Sequence, residues 1–369
     1  MKKVLIIGAG FAGAVLGREL AEKGYLIDII DERNHIAGNC YDCKDINGVF
    51  YHKYGPHYFR TNSDKIFNYV NRFSDFQMVD VNYEIKVFKN NHYYSFPINL
   101  NTFKELYGFD KSQDDFIAYL NKHKKDLKEI RNFEDFCISN IGIELYDFFY
   151  KEYTIKQWNK LPIDLPASIA ARIPIRTNLN NKYFDEKYQC IPKNGYTNLI
   201  GNILSRPNIN VKLNTSFSKD LIPHYDLVFY SGPIDRFFNY ELGVLPYRSL
   251  DFQLINIQNT DFARPYLQTN YPELKYSFTR EVEVKHITQQ KTPHTNIVRE
   301  FPADFIVGKS TPYYPINSPE AKELYSKYVE HGKIKEPKVK FIGRLGKFQY
   351  YNMDQIIGSS LTESEKYGN

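Results

Sequence analysis

A glycine turn between two apolar runs governs what the first thirty residues can become. Val4-Leu5-Ile6-Ile7 has the unbroken apolarity of a strand buried on both faces, and Gly8-Ala9-Gly10-Phe11-Ala12-Gly13 follows at once. The spacing predicts a helix through Leu16, Leu20 and Ala21 that stops at Gly24, then a second strand, Leu26–Ile30, ending at Asp31. Strand, glycine turn, helix and strand make a βαβ unit. Gly8 permits the tight turn, Gly10 lets a pyrophosphate reach the backbone, and Gly13 lets helix and strand pack closely. The helix N-terminus attracts phosphate, and Asp31 can accept hydrogen bonds from a ribose diol.

FAD and NAD proteins share this fingerprint. The continuation favours FAD: Asp31-Glu32-Arg33-Asn34-His35-Ile36-Ala37-Gly38-Asn39 is the kind of stretch that follows the second strand in many FAD proteins, with Arg33 able to reach a phosphate. A second GxGxxG for a nicotinamide nucleotide is missing, so electrons come from elsewhere or are not needed at every turnover. From about Asn101 to Gln157 the periodicity becomes helical, as in Phe116, Tyr119, Leu120 and Leu145, Phe148, Phe149. Between about Leu250 and Pro315, short β-branched and aromatic runs predict a half-exposed antiparallel sheet. Leu227–Tyr230 and Val339–Gly343 read as buried strands that return the chain to the first sheet.

The expected fold is α/β, a Rossmann-like FAD-binding domain with an inserted helical domain and an antiparallel β-sheet domain. The FAD domain is assigned to 1–75, 197–247 and 318–369, the helical substrate domain to 100–172, and the sheet domain to 76–99, 173–196 and 248–317.

Composition narrows the functional classes. No run approaches the ~20 apolar residues that span a bilayer, so a cytoplasmic protein without membrane insertion is expected. The net charge of +5 is dispersed, which argues against nucleic acid, and the run Lys122 to Lys128 suits the solvated face of a helix. Four cysteines are expected as reduced thiols, with Cys40-x-x-Cys43 a chance spacing and no metal site.

Nearly end to end, from Val4 to about Gly358, the chain resembles the UDP-galactopyranose mutases. The resemblance is carried by Gly8 to Gly13, His35 to Asn39, Tyr54-Gly55-Pro56-His57, Phe96-Pro97-Ile98-Asn99, Tyr153-Thr154-Ile155-Lys156-Gln157-Trp158 and Arg172 to Arg176. Further along it includes Tyr247-Arg248-Ser249-Leu250, Phe278-Thr279-Arg280, Pro312 to Pro315, Gly343-Arg344-Leu345-Gly346, Tyr350 and Met353-Asp354. It implies noncovalent FAD, active when reduced, whose N5 attacks the anomeric carbon of UDP-galactopyranose so that the ring reopens and closes as a furanose. The implied partner is a small nucleotide sugar, and the implied assembly a homodimer.

The resemblance also implies roles. Arg172, on a mobile loop, and Arg280 take the diphosphate, as do Tyr183, Tyr314 and Tyr350. Planar multi-donor cations suit an anion whose charge grows as its bond breaks. Tyr153 stacks on uracil with Phe149 and Tyr150 nearby, Trp158 lines the sugar and flavin pocket, Asn82 is a polar sugar contact, and Arg248 belongs to the substrate set. FAD is assigned to Gly8, Gly10, Phe11, Ala12, Gly13, Asp31, Glu32, Arg33, Gly38, Asn39, Tyr54, Gly55, His57, Gly343, Arg344, Tyr350, Met353 and Asp354. His57 lies beside the isoalloxazine, and the helix from Met353 offers its amides to the pyrimidine ring.

The chain departs from the family pattern at four places. His57-Tyr58-Phe59-Arg60 stands where His-Ile-Phe-His is common, Asn352 where aspartate is frequent, Ala37 where glycine is frequent, and Glu152 where glycine precedes the stacking tyrosine. Arg60 adds donors beside the sugar that can bond an acyl carbonyl, which extends the expected substrates to UDP-N-acetylgalactopyranose. Pairing of Arg60 with a carboxylate is the alternative. Two other function classes remain open at this level, a flavin oxidoreductase of the amine oxidase type and a non-catalytic nucleotide-sugar binder.

Overall fold

The computed structural model describes residues 1–78 and 84–368, so Asn82 lies outside the described residues. A five-stranded parallel sheet runs in the order Ile209–Lys212, Leu26–Ile30, Lys3–Ile7, Leu227–Tyr230, Val339–Phe341. The first βαβ unit therefore sits at its centre, and both late apolar runs join it as the sequence predicts. Apolar side chains of Lys3–Ile7 pack on helix Phe11–Glu22, which is also covered by helices Gly195–Leu204 and Met353–Ser364. Burial of this kind contributes ~25 cal/mol per Å² of apolar surface, which explains why these strands need no polar face.

Gly8 has φ of +106°, and a Cβ there would lie 2.0 Å from Ser231 Oγ. Gly13 is bound by contact instead, since its Cβ would lie 2.0 Å from the carbonyl oxygen of Gly8.

A second, seven-stranded sheet runs Tyr314–Pro315, Tyr247–Ile257, Thr295–Asp304, Arg280–Val282, Gln268–Asn270, Ile85–Lys89, His92–Phe96. The strands between Leu250 and Pro315 pair antiparallel as expected, and one parallel pair joins Gln268–Asn270 to Ile85–Lys89, Gln268 beside Ile85. Strands so far apart in sequence carry no turn signal to announce their pairing direction. A three-stranded sheet sets Tyr188–Pro192 between Phe59–Thr61 and Phe76–Met78, with Arg60 opposite Gln189.

The helical segment is Leu100–Tyr107, Gln113–His123, Phe133–Phe149 and Lys151–Trp158. Asn99 and Ser112 close capping boxes on the first two helices, and the Asn132 side chain accepts from the Asp135 amide to cap the third. The expectation that Lys122 to Lys128 forms one helical face is corrected: the helix ends at His123, and Lys124 is already extended (ψ 143°). Lys122 and His123 fall in the last turn, where cations complement the helix dipole. All four cysteines are free thiols. Among the described residues, no helix is long and apolar enough to cross a membrane, and no cluster of three His, Cys, Asp or Glu is arranged around a metal.

Candidate active site

Two arrangements meet at the carboxyl end of the parallel sheet. The first is a cradle of backbone and small residues. Helix Phe11–Glu22 begins without a side-chain cap and without an acidic residue in its first turn, so its leading amides stay open to an anion. Gly38 (φ +55°) comes so near that a Cβ on it would lie 3.2 Å from Gly10 Cα, and one on Gly343 would lie 3.1 Å from Ala12 Cβ. Phe11 and Ala12 are themselves buried.

Asp31 braces this cradle. Its carboxylate accepts the Ala9 amide at 2.8 Å and the Arg33 amide at 2.9 Å, while the Ala37 amide reaches the Ala9 carbonyl at 2.9 Å. A carboxylate has about four lone-pair sites, so two remain for a ribose diol. Arg33 lies 4.7 Å over the Tyr54 ring and donates to Asn39 Oδ1 at 3.0 Å. Glu32 turns the other way, gripped by Arg236 at 2.8 and 3.0 Å, and that pairing lowers its pKa.

The second arrangement is a cleft lined by Arg60, Arg172, Arg280 and Arg344 together with His57, Tyr183, Tyr314 and Tyr350, and among the described residues its lining contains no carboxylate. Four guanidinium groups facing one space repel one another unless an anion joins them. Carboxylates stand behind two of them. Glu300 accepts from Arg280 at 2.6 Å, and Glu186 pairs with Arg60. Burial would lower the pKa of Arg280, but Glu300 outweighs it and the guanidinium stays charged. Its Nε is buried and has no partner among the described residues.

Tyr314 and Tyr350 stack at 5.1 Å. Arg172 lies 4.2 Å over Tyr350 and donates to Asn352 Oδ1 at 3.1 Å, and Arg344 faces the same two rings at 5.5 and 5.7 Å while donating to the Tyr351 carbonyl. Burial raises the phenols of Tyr183 and Tyr314, which stay protonated donors. Burial, with His52 adding to it, pushes the pKa of His57 down to about 3. The neutral ring puts its Nδ1 proton on the Gly55 carbonyl at 2.8 Å, which leaves Nε2 as an acceptor. Met353 opens the last helix on the cleft wall, and Asp354 follows in its first turn.

Several expected residues sit elsewhere. Phe149 and Tyr150 belong to the core of the helical segment, where Phe96 meets them at 6.4 and 5.8 Å. Trp158 packs on the same core from its edge. Arg248 is buried away from the cleft, its Nε on the Gln157 carbonyl at 3.0 Å and its guanidinium on Asp304, so it ties a helix end to the sheet. Tyr153 is close enough to Arg280 and Glu300 for its buried phenol to respond to both. The sequence reading missed Phe184 and Gln268 on the cleft wall. Gln268 had a signal: Gln268-Thr269-Asn270 is a polar triplet that is wholly buried.

Comparison with known proteins follows the same outline. A family model described as UDP-galactopyranose mutase matches residues 148–350, and one described as NAD(P)-binding Rossmann-like domain matches residues 6–73. A probable UDP-galactopyranose mutase of Klebsiella pneumoniae is 37% identical over 368 residues, 99% of this chain and 94% of that protein. The dTDP-fucopyranose mutase of Escherichia coli is 34% identical over 375 residues, 100% of this chain and 98% of that protein. The crystal structure of reduced UDP-galactopyranose mutase superposes with a TM-score of 0.74 at 14% identity, covering 99% of this chain and 95% of that one, a likeness of fold.

Proposed function

The chain belongs to the UDP-galactopyranose mutase family, and from that premise we propose that it interconverts the pyranose and furanose forms of UDP-galactose. As a family member it is an isomerase with FAD as cofactor. The observation that carries the substrate reading is the cleft of four guanidiniums and six tyrosines, without a lining carboxylate among the described residues, beside the glycine cradle. An amine or carotenoid substrate has no use for that charge, whereas a nucleotide diphosphate does.

The residues of the cradle fit FAD. The open amides of helix Phe11–Glu22 and the glycine approaches at Gly10, Gly38 and Gly343 suit its pyrophosphate, Asp31 its ribose, and the start of helix Met353–Ser364 its ring. Reduced FAD, when bound, would supply a nucleophilic nitrogen whose lone pair is conjugated with an electron-rich ring, a reactivity that no side chain offers. Arg172 and Arg280 oppose the charge that grows on the departing diphosphate, with Tyr183, Tyr314 and Tyr350 as hydroxyl donors, while Arg344 serves the FAD phosphates. His57 presents Nε2 as an acceptor, and the aromatic walls exclude water. Because the nucleotide returns to the same sugar, the cleft has to hold it throughout.

Arg60 supports a second reading, in which the 2-acetamido sugar is also accepted. It stays on the cleft wall, 3.9 Å over Phe184, and one of its five N–H groups meets Glu186. The others have no partner among the described residues and suit an acyl carbonyl.

Anaerobic incubation with UDP-galactose, UDP-N-acetylgalactosamine and dTDP-fucose, with products resolved by HPLC, tests both readings. Furanose should form from UDP-galactose only after the flavin is reduced. Equal turnover by fully oxidised protein would overturn the proposal, and exclusive use of dTDP-fucose would move this chain to the specificity of the Escherichia coli relative.

A further inference from the structure

The loop that delivers Arg280 to the cleft is closed around an ammonium. Residues 271–279 join strands Gln268–Asn270 and Arg280–Val282, and four of their carbonyls converge on Lys156 Nζ: Tyr271 at 2.6 Å, Phe278 at 2.9 Å, Tyr276 at 3.0 Å and Glu273 at 3.1 Å. An ammonium carries three protons, so this one is saturated by the loop and has none to spare for a ligand. Glu152, one turn earlier on the same helix, accepts the Leu274 amide at 3.1 Å.

The helix bearing both residues, Lys151–Trp158, is itself fixed. Arg248 Nε holds the Gln157 carbonyl at 3.0 Å, and Asn159 Nδ2 holds Asp304 at 3.1 Å. Within the loop the backbone bonds are Tyr271 N to Thr279 O and Tyr276 N to Glu273 O, the rings of Tyr271, Tyr276 and Phe278 pack on one another, and the Thr279 amide reaches the Glu300 carbonyl at 2.9 Å, so its polar anchoring between residues 272 and 278 comes from Lys156 and Glu152. Arg280 follows Phe278 by two residues, and its guanidinium is steered from behind through one contact, to Glu300. Strand pairing holds the Arg280 backbone from Asn270 on one side and Glu300 on the other, so what the grip adds is the course of the chain entering that strand at Phe278 and Thr279. Removing the ammonium would leave four carbonyl dipoles facing one another, and the loop would open.

We propose that Lys156, assisted by Glu152, is a positioning residue that grips loop 271–279 and so fixes the direction from which Arg280 meets the substrate diphosphate. This rests on the reading of Arg280 given above. The grip also ties the diphosphate contact to the helix that carries Tyr153 and Trp158, the family's nucleotide and sugar residues.

The test is a double-mutant cycle on the FAD-loaded protein, comparing Lys156→Met, Arg280→Ala and the pair. The readouts are flavin content, Kd for UDP, and kcat/KM for UDP-galactose under reductant. Lys156→Met should retain FAD yet lose about tenfold in UDP affinity and in kcat/KM, and should cost less than about twofold once Arg280 is already alanine. An equal loss in both backgrounds would show that the lysine merely stabilises the fold, and no loss would show that the loop needs no grip; either overturns the proposal. If Arg280→Ala leaves UDP binding and turnover intact, the placement of the diphosphate fails first and the proposal falls with it. Should Lys156→Met not fold, Glu152→Ala, which removes one loop contact, goes through the same cycle. A loss that persists undiminished without Arg280 again overturns the idea.

Discussion

Arg280 and Arg172 reach the cleft in opposite ways, one packed against Glu300 and the other exposed on Tyr350 and Asn352. Each replacement by alanine should lower kcat/KM by roughly 100-fold, the ~3 kcal/mol typical of a charge-assisted donor to a developing anion, with FAD still bound. Near-normal steady-state kinetics in both variants would show that the diphosphate lies elsewhere. For Arg60→His, the expected loss is about 10- to 150-fold in kcat/KM on the acetamido sugar, since a hydrogen bond to a charged group is worth ~1.5–3 kcal/mol, with little change on UDP-galactose. A parallel decline on both sugars would mean that Arg60 serves only Glu186 and Phe184. The arginines and tyrosines were legible in the sequence because their motifs are. Their partners were not: Glu300 and Glu186 lie 20 and 126 positions from Arg280 and Arg60, on other strands and loops, with no local pattern to announce them.

The glycine turn is the element most fully legible in sequence, since Gly8 answers a φ and Gly13 a contact that other residues cannot meet. Gly13→Ala tests this, because its Cβ would stand 2.0 Å from the Gly8 carbonyl and the helix would have to move off the strand. The expected result is a protein depleted of flavin absorbance and destabilised by ~1–3 kcal/mol, the usual range for overpacking. Full FAD content and an unchanged Tm would contradict that geometry. Ala37 shows the limit of such reading, since its φ of +73° is the reason glycine is frequent there, yet this chain keeps alanine. Helices were legible in the 100–158 segment from periodicity and caps. Which aromatic faced outward was not, and Phe149 and Tyr150 went to the core because Phe96, from another element, lies against them.

At the scale of the molecule, the cleft is assembled from segments as distant as Tyr54 and Met353, so its protonation state is set by burial that only the whole fold creates. His52 and His57 are adjacent in space, with the His57 amide on His52 Nδ1 at 3.0 Å, and burial pushes them down to about 4 and about 3 from 6.5. Both folded pKa values lie below the unfolded one, so between them the unfolded chain binds more protons and stability falls as pH falls. The contribution is fully present above about pH 6.5 and is lost progressively toward pH 4, at ~1.4 kcal/mol per pH unit for each histidine. Glu281 and Glu283 have lowered values as well, as ion-pair and hydrogen-bond partners overcome their burial, and their contribution disappears only below about 4.5. Burial lowers His35 as well, so denaturant unfolding in excess FAD should show a stability plateau from pH 7 to 8 and a slope of at least two protons between pH 6 and 5, before the carboxylates join. His52→Asn keeps an acceptor for the His57 amide but cannot take up a proton, so it should reduce that slope by about one proton. A wild-type profile flat down to pH 5 would mean that water reaches both rings and that His57 is not held neutral in the cleft.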